Sequence, residues 1–225
     1  KAALLASLAF HSTVTIDEVY CEGITGISID DVNAAKAMGS VIKLLAIAEL
    51  TVKDEISVRV HPVILPVAHP LASVRDAFNA IYVESEAAGQ LMFYGAGAGG
   101  AQTASAILGD LVSAAKRHVA GGPGLADSVH ANLPILPIDR IFTRYQITLE
   151  ATDQPGVLAA IANTFATHEV SIEFVEQSPT PGKKTANLEI GTHEATDAAL
   201  SAVVAALAAS DAVESITSVI RVEGI

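Results

Sequence analysis

The 225-residue sequence has one cysteine, no tryptophan, four tyrosines and six phenylalanines, and only 13 lysines and arginines against 25 aspartates and glutamates. Each scarcity excludes something. The lone Cys21 rules out an intrachain disulfide framework and a cysteine-built metal site, which fits the cytoplasm. The net charge of −12 argues against nucleic acid and against an anionic membrane surface, because both are bound by clustered Lys and Arg that displace counterions. No apolar run reaches the length of a membrane span: Val41–Val52 is broken by Lys43 and Glu49 and closed by Lys53. The apolar start, Lys1 to Phe10, has no leading basic region and no cleavage signal, so it does not read as a secretory signal. It reads as mid-helix, with no Ser, Thr or Asp cap before Lys1, and suggests a cut point there.

What is present is apolar: 51% hydrophobic against 17% charged residues, ample for one large core or two small ones. Ala2 to Phe10 suits a buried Ala/Leu helix. Ser28 can cap a second helix, with Asp30 and Asp31 in its first turn and Gly39 past its end. Val41 to Leu50 and Ile56 to His61 read as strands with a turn near Asp54. The strict alternation of the second predicts one solvated face. Pro62, Pro66 and Pro70 are expected to break regular pairing, which places His61 and His69 in loops. A second hairpin is expected around Gly89, then a helix from about Thr103 to Val119. The fold class expected is α+β: an antiparallel or mixed sheet with helices on one face, followed by a ferredoxin-like βαββαβ unit.

A loop-like boundary, Gly121-Gly-Pro-Gly followed by Pro134 and Pro137, separates the halves. Beyond Arg144 the order is strand from Tyr145, turn at Asp153-Gln-Pro-Gly, helix to about His168, strand from Ser171, a turn over Pro179–Lys184, strand from Thr185, a helix capped by Thr196 and a strand from Val213 to Val222. That order is βαββαβ.

Three places carry chemistry. Gly95, Gly97 and Gly100 satisfy G-x-G-x-x-G between a strand and a helix, the dinucleotide fingerprint. No second strand with an acidic residue follows at the required distance, so a self-contained Rossmann unit is disfavoured. Two readings stay open: the glycines only let helix and sheet pack closely, or their backbone lies against a cofactor whose main site is elsewhere. At Asp153-Gln-Pro-Gly-Val-Leu, Pro155 fixes φ, Gly156 permits a tight turn, and the helix amides can receive a carboxylate. Asp153, Gly156, Val157 and Leu158 are therefore candidates for binding a small amino acid, although Asp153 as a plain helix cap is the bland alternative. The seven histidines show no metal-ligand spacing, and Lys1 alone reads as a solvated helix end.

Taken together, Lys1-Ala-Ala-Leu-Leu-Ala-Ser-Leu-Ala-Phe-His, Glu22-Gly-Ile-Thr-Gly-Ile, Val41-Ile-Lys-Leu-Leu-Ala, Val60-His-Pro, His69-Pro-Leu-Ala-Ser-Val and Gly95 to Gly100 with Thr103-Ala resemble bacterial homoserine dehydrogenase over residues 1 to about 120. The second half resembles the ACT domain that many of its members carry. The resemblance implies a substrate and dimerisation segment at 1–120, a linker at 121–143 and an ACT regulatory domain at 144–225. It implies an oxidoreductase interconverting L-homoserine and L-aspartate 4-semialdehyde with NADP or NAD, whose nucleotide-binding domain lies upstream of Lys1, so that these residues alone are expected to be inactive. Lys1 aligns with the family lysine assigned proton transfer at the substrate oxygen, a role suited to an ammonium donor. Gly99, and less directly Gly97, align with backbone contributed to the cofactor pocket. A regulatory amino acid, threonine by family, and a homodimer or homotetramer are also implied. The alternative is a non-catalytic ACT-type sensing protein, which leaves the first half without a purpose.

Overall fold

The computed structural model describes residues 1–122, 128–180, 182 and 184–224. The expected boundary at Gly121-Gly-Pro-Gly and the turn over Pro179–Lys184 therefore fall partly outside the described residues, at Pro123, Gly124, Pro181 and Lys183. Two compact units form: Lys1–Pro66 together with Val129 onward, and Val67–Ser128.

In the first unit, helix α1 spans Ala2–Phe10. Only Ala2 and Ala6, one turn apart, are buried, packed on Ile56 and Val58. Leu4 and Leu8 are over two-thirds exposed, at 70% and 74%, so the helix expected to be buried uses a small-residue stripe and turns its leucines outward. After the two-residue strand β1 (Tyr20–Cys21), helix α2 spans Ile29–Ala37. A reciprocal box closes its start: Asp31 N–H donates to Ser28 Oγ and Ser28 N–H to Asp31 Oδ2. Gly39, at φ +70°, follows its end.

Strands β2 (Ser40–Leu50) and β3 (Ile56–Pro66) form an antiparallel hairpin that turns at Asp54, whose φ is +57°. Two expectations are corrected here. Ser57, Arg59 and His61 do not form a solvated face: all three are buried, because groups from elsewhere in the chain close over them, Glu49 and Glu223 on Arg59, which also bonds Ser57, and the Tyr20 ring beside His61. Pro62 and Pro66 lie inside β3, which also moves His61 from loop to strand. Pro62 is tolerated because Val60 O and Ile64 O accept from Glu22 and Glu223. By alternation, Pro62 points its missing N–H to that same edge, between the parallel pairings of β1 at Arg59–Val60 and of the last strand at Val63–Ile64.

The second unit holds a 3₁₀ turn at Pro70–Ser73, started by His69, whose Nδ1 accepts from Leu71 N–H. Next come β4 (Phe78–Ser85) and β5 (Gly89–Ala96), a two-stranded antiparallel sheet. Helix α3 (Gly100–Ala120) starts slightly earlier than expected. Among the described residues of this unit only Ala72 is a buried hydrophobic residue.

Beyond residue 129 the chain returns to the first unit: β6 (Phe142–Thr152), α4 (Val157–Thr167), β7 (Ile172–Pro179), β8 (Thr185–Thr192), a two-residue β9 (Ala195–Thr196), α5 (Asp197–Ala208) and β10 (Val213–Val222). The order across the sheet is β10-β6-β8-β7, all antiparallel, as βαββαβ demands. Ile147, Leu149, Leu188 and Ile190 close the core against Ile161, Phe165, Leu200, Val203 and Leu207 of the two helices. Burying each such side chain stabilises the fold by about 1.5–3 kcal/mol. The sheet does not end there: β10 pairs β3 in parallel, so eight strands from both halves of the sequence are continuous.

Candidate functional site

Lys1 stands at the N-cap of α1, exposed, its carbonyl accepting from Leu5 N–H. Its side chain thus stands exposed on a helix anchored by Ala2 and Ala6. Gly97 and Gly99 belong to the second unit. A Cβ at Gly97 would overlap the Asn79 amide, and one at Gly99, whose φ is +137°, would overlap Gln102. Both overlaps are with the ends of flexible side chains, which can move aside, so the firmer demand for glycine is the backbone conformation of Gly99. The same run opens α3 with no acidic residue in its first turn, so an anionic phosphate there would meet amides and no carboxylate. Among the described residues the strand before the run pairs only with β4, antiparallel, which keeps it out of a parallel βαβ unit.

At the other candidate site, Gly156 is the N-cap of α4 at φ +93° and ψ −16°, with no side-chain cap. The bland reading of Asp153 as the helix cap is thereby set aside. Its own N–H donates to Lys184 O, pinning the turn to the start of β8. Val157 packs on the core while Leu158 is 44% exposed. The turn presents backbone at a helix start and sits at the end of β6.

The most heavily bonded polar cluster was not read from the sequence. Arg221 of β10 is buried and donates through Nε and Nη2 to Asp197 Oδ1 at 3.0 and 2.8 Å, and through Nη1 to Glu22 Oε2 at 2.7 Å. The Tyr145 hydroxyl donates to Asp197 Oδ1 at 2.9 Å. The guanidinium lies between the Tyr20 and Tyr145 rings, 5.0 and 5.3 Å from their centroids, within cation–π range. Burial opposes its charge, but the neighbouring Tyr145 and Asp197 raise its pKa above the ordinary arginine value. Burial also pushes the Tyr145 hydroxyl up to about 12. A parallel knot joins Arg59 to Glu49 and Glu223 at 2.6 and 3.0 Å. Between them His61, fully buried, shares Nδ1–H with Pro62 O and leaves Nε2 without a partner. Burial pushes its pKa down to about 4. The available signal was an arginine flanked by apolar residues within a strand, at Val58-Arg59-Val60 and Ile220-Arg221-Val222.

Fold and site thus define an α+β protein in which a ferredoxin-like unit shares its sheet with a preceding hairpin. Residues 1–112 match the homoserine dehydrogenase family model and residues 145–211 the ACT domain model. The chain is 51% identical, over its whole length, to the homoserine dehydrogenase of Mycobacterium tuberculosis strain H37Rv, covering 53% of that protein. It is 51% identical to that of Corynebacterium glutamicum, over 99% of this chain and 51% of the relative. A crystal structure of a homoserine dehydrogenase from Thiobacillus denitrificans superimposes with a TM-score of 0.90 at 35% identity, covering 99% of this chain and 52% of that one. The chain belongs to the homoserine dehydrogenase family and carries an ACT domain. It spans about half the length of the curated relatives it matches.

Proposed function

We propose that this chain is the substrate-side and regulatory half of an NAD(P)-dependent enzyme interconverting L-homoserine and L-aspartate 4-semialdehyde. The observation that carries the reading is identity of 51% over the whole length of the chain. Lys1, exposed at the start of an anchored helix, is the proton donor to the substrate oxygen during reduction and its acceptor in reverse. The nicotinamide cofactor would supply the hydride as NADPH or NADH in reduction and would take it back as NADP or NAD in reverse. Gly99 and Gly97 present the α3 start to its anionic part, and the main cofactor contacts lie outside these residues. The division into 1–120, 121–143 and 144–225 is supported by the separate family matches.

The ACT half senses an amino acid, for which the family favours threonine. Its carboxylate is held by the amides at Val157 and Leu158 beyond Gly156, with Asp153 placed to receive the ammonium group. The reading includes a homodimer or homotetramer, supported by the exposed Ile107, Leu108, Leu111 and Val112 on α3, and a cytoplasmic location. Among the described residues no helix is long and apolar enough to cross a membrane. The test is a homoserine-dependent NADP and NAD reduction assay of this chain and of a full-length enzyme containing it. Turnover by the full-length enzyme only is expected, and turnover by this chain alone would overturn the assignment of the cofactor contacts.

A further inference from the structure

Arg221 joins the two halves of the sequence through bonds of unequal exposure. Its partner Asp197, the first residue of α5, is sealed, both side chains being 8% exposed, whereas Glu22, on the opposite side, is 40% exposed. One bond is out of reach of water and the other is not. A cavity of about 250 Å³ opens at this point, lined by Tyr20, Glu22, Tyr145, Ser201, Val219 and Arg221 among others, and leaves room for side chains to shift. On the ACT side, Tyr145 stands in β6, the strand that runs into the Gly156 turn, and Asp197 starts the helix packed on that strand. On the other side, Tyr20 and Cys21 pair with Arg59 and Val60 of β3, and β3 carries Ile56 and Val58, on which Ala2 and Ala6 of the Lys1 helix rest. Packed elements thus lead continuously from the Gly156 turn to Lys1.

We propose that Arg221 is a latch that relays the state of the ACT domain to the segment carrying Lys1. Asp197 and Tyr145 keep the guanidinium with the ACT domain. Glu22 and Tyr20 are held when the latch is closed and released when it opens. An exposed charge pair is weak and breaks readily, while a buried one is held because separating it strands a charge, so the Glu22 bond yields first. A guanidinium suits the task because its fork reaches a carboxylate on each side and still stacks between rings. This inference rests on the sensing reading above.

The test uses full-length enzyme with Glu22→Gln, Tyr20→Phe and Arg221→Lys substitutions, each assayed for threonine binding by calorimetry and for inhibition. Amide exchange of residues 20–22 is followed with and without threonine. Coupling between sites of this kind typically amounts to 5–150-fold in affinity. Glu22→Gln and Tyr20→Phe should bind threonine as the wild type does and keep their basal kcat, yet lose most of the inhibition and of the ligand-dependent change in exchange at residues 20–22. Should Arg221→Lys fail to fold, those two variants still decide the matter. Normal threonine binding with undiminished inhibition in both overturns the latch and leaves sensing intact. No threonine binding by the wild type overturns sensing, and the latch with it.

Discussion

The ACT half, which is part of the first compact unit, and the Val67–Ser128 unit solve the burial problem in opposite ways. The ACT half closes on itself: Ile147, Leu149, Ile190, Leu200, Val203 and Leu207 have no exposed surface. The Val67–Ser128 unit leaves Phe93, Tyr94, Ile107, Leu108 and Leu111 exposed and buries Ala72 alone among its described hydrophobic residues. A chain segment with that much uncovered apolar surface is built to be finished by another surface. The Gly95–Gly100 run lies in the Val67–Ser128 unit, whereas the Gly156 turn lies in the other.

The largest effect expected is at Lys1. Lys1→Ala in the full-length enzyme should lower kcat by roughly 10²–10⁴-fold while leaving the thermal midpoint and cofactor affinity near wild type, because the side chain is exposed and anchors nothing. A kcat within a few-fold of wild type would reduce Lys1 to a helix end. Next is the contrast between two leucines. Leu200→Ala opens a cavity in a closed core and should cost about 2–5 kcal/mol in denaturant unfolding of this chain. Leu111→Ala, on the exposed α3 stripe, should cost under about 0.5 kcal/mol and weaken self-association of the full-length enzyme in sedimentation. Equal costs would break the contrast.

A smaller effect concerns pH. The buried His61 has its pKa pushed down to about 4, so the unfolded chain, titrating near 6.5, binds the proton more readily than the folded one. Stability should fall as pH drops from about 6.5 to 4 and then stop changing on this group's account. The loss is up to about 3 kcal/mol, from the difference between those pKa values. His61→Gln, compared with wild type across that window, should flatten this part of the profile. An unchanged profile would assign the acid sensitivity to carboxylates instead.

Much of the fold was legible because its signals are local. Ser28 and Thr196 cap where expected, Gly156 turns where expected, and the βαββαβ order follows from turn chemistry and strand composition. The misreadings all involve β3 and its surroundings, where partners are remote in sequence. Ser57, Arg59 and His61 look like a solvated face until Tyr20 and Glu223, remote in sequence, close over it. Glu223 meets Arg59 across 164 residues, and Glu22 meets Arg221 across 199, distances over which periodicity carries no information. Pro62 reads as a strand breaker because the gap it faces is made by two strands that a local reading cannot bring together. In α1 the face turned to β3 carries Ala2 and Ala6, and Leu4 and Leu8 fall outside it. The candidate site residues Lys1, Gly97, Gly99 and Asp153 to Leu158 were nameable from motif and resemblance, whereas the Arg221 cluster required the tertiary structure.

The most direct measurement is calorimetric titration of threonine into this chain and into its Gly156→Glu variant. Gly156 has φ +93° with open space where a Cβ would stand, so glutamate strains the backbone and sets a negative charge where a carboxylate should dock. Saturable binding by the wild type and at least a tenfold loss in Gly156→Glu, with circular dichroism showing both folded, is the expected result. No binding by the wild type would contradict amino-acid sensing by this ACT domain, and equal binding by both would remove the site from the Gly156 turn.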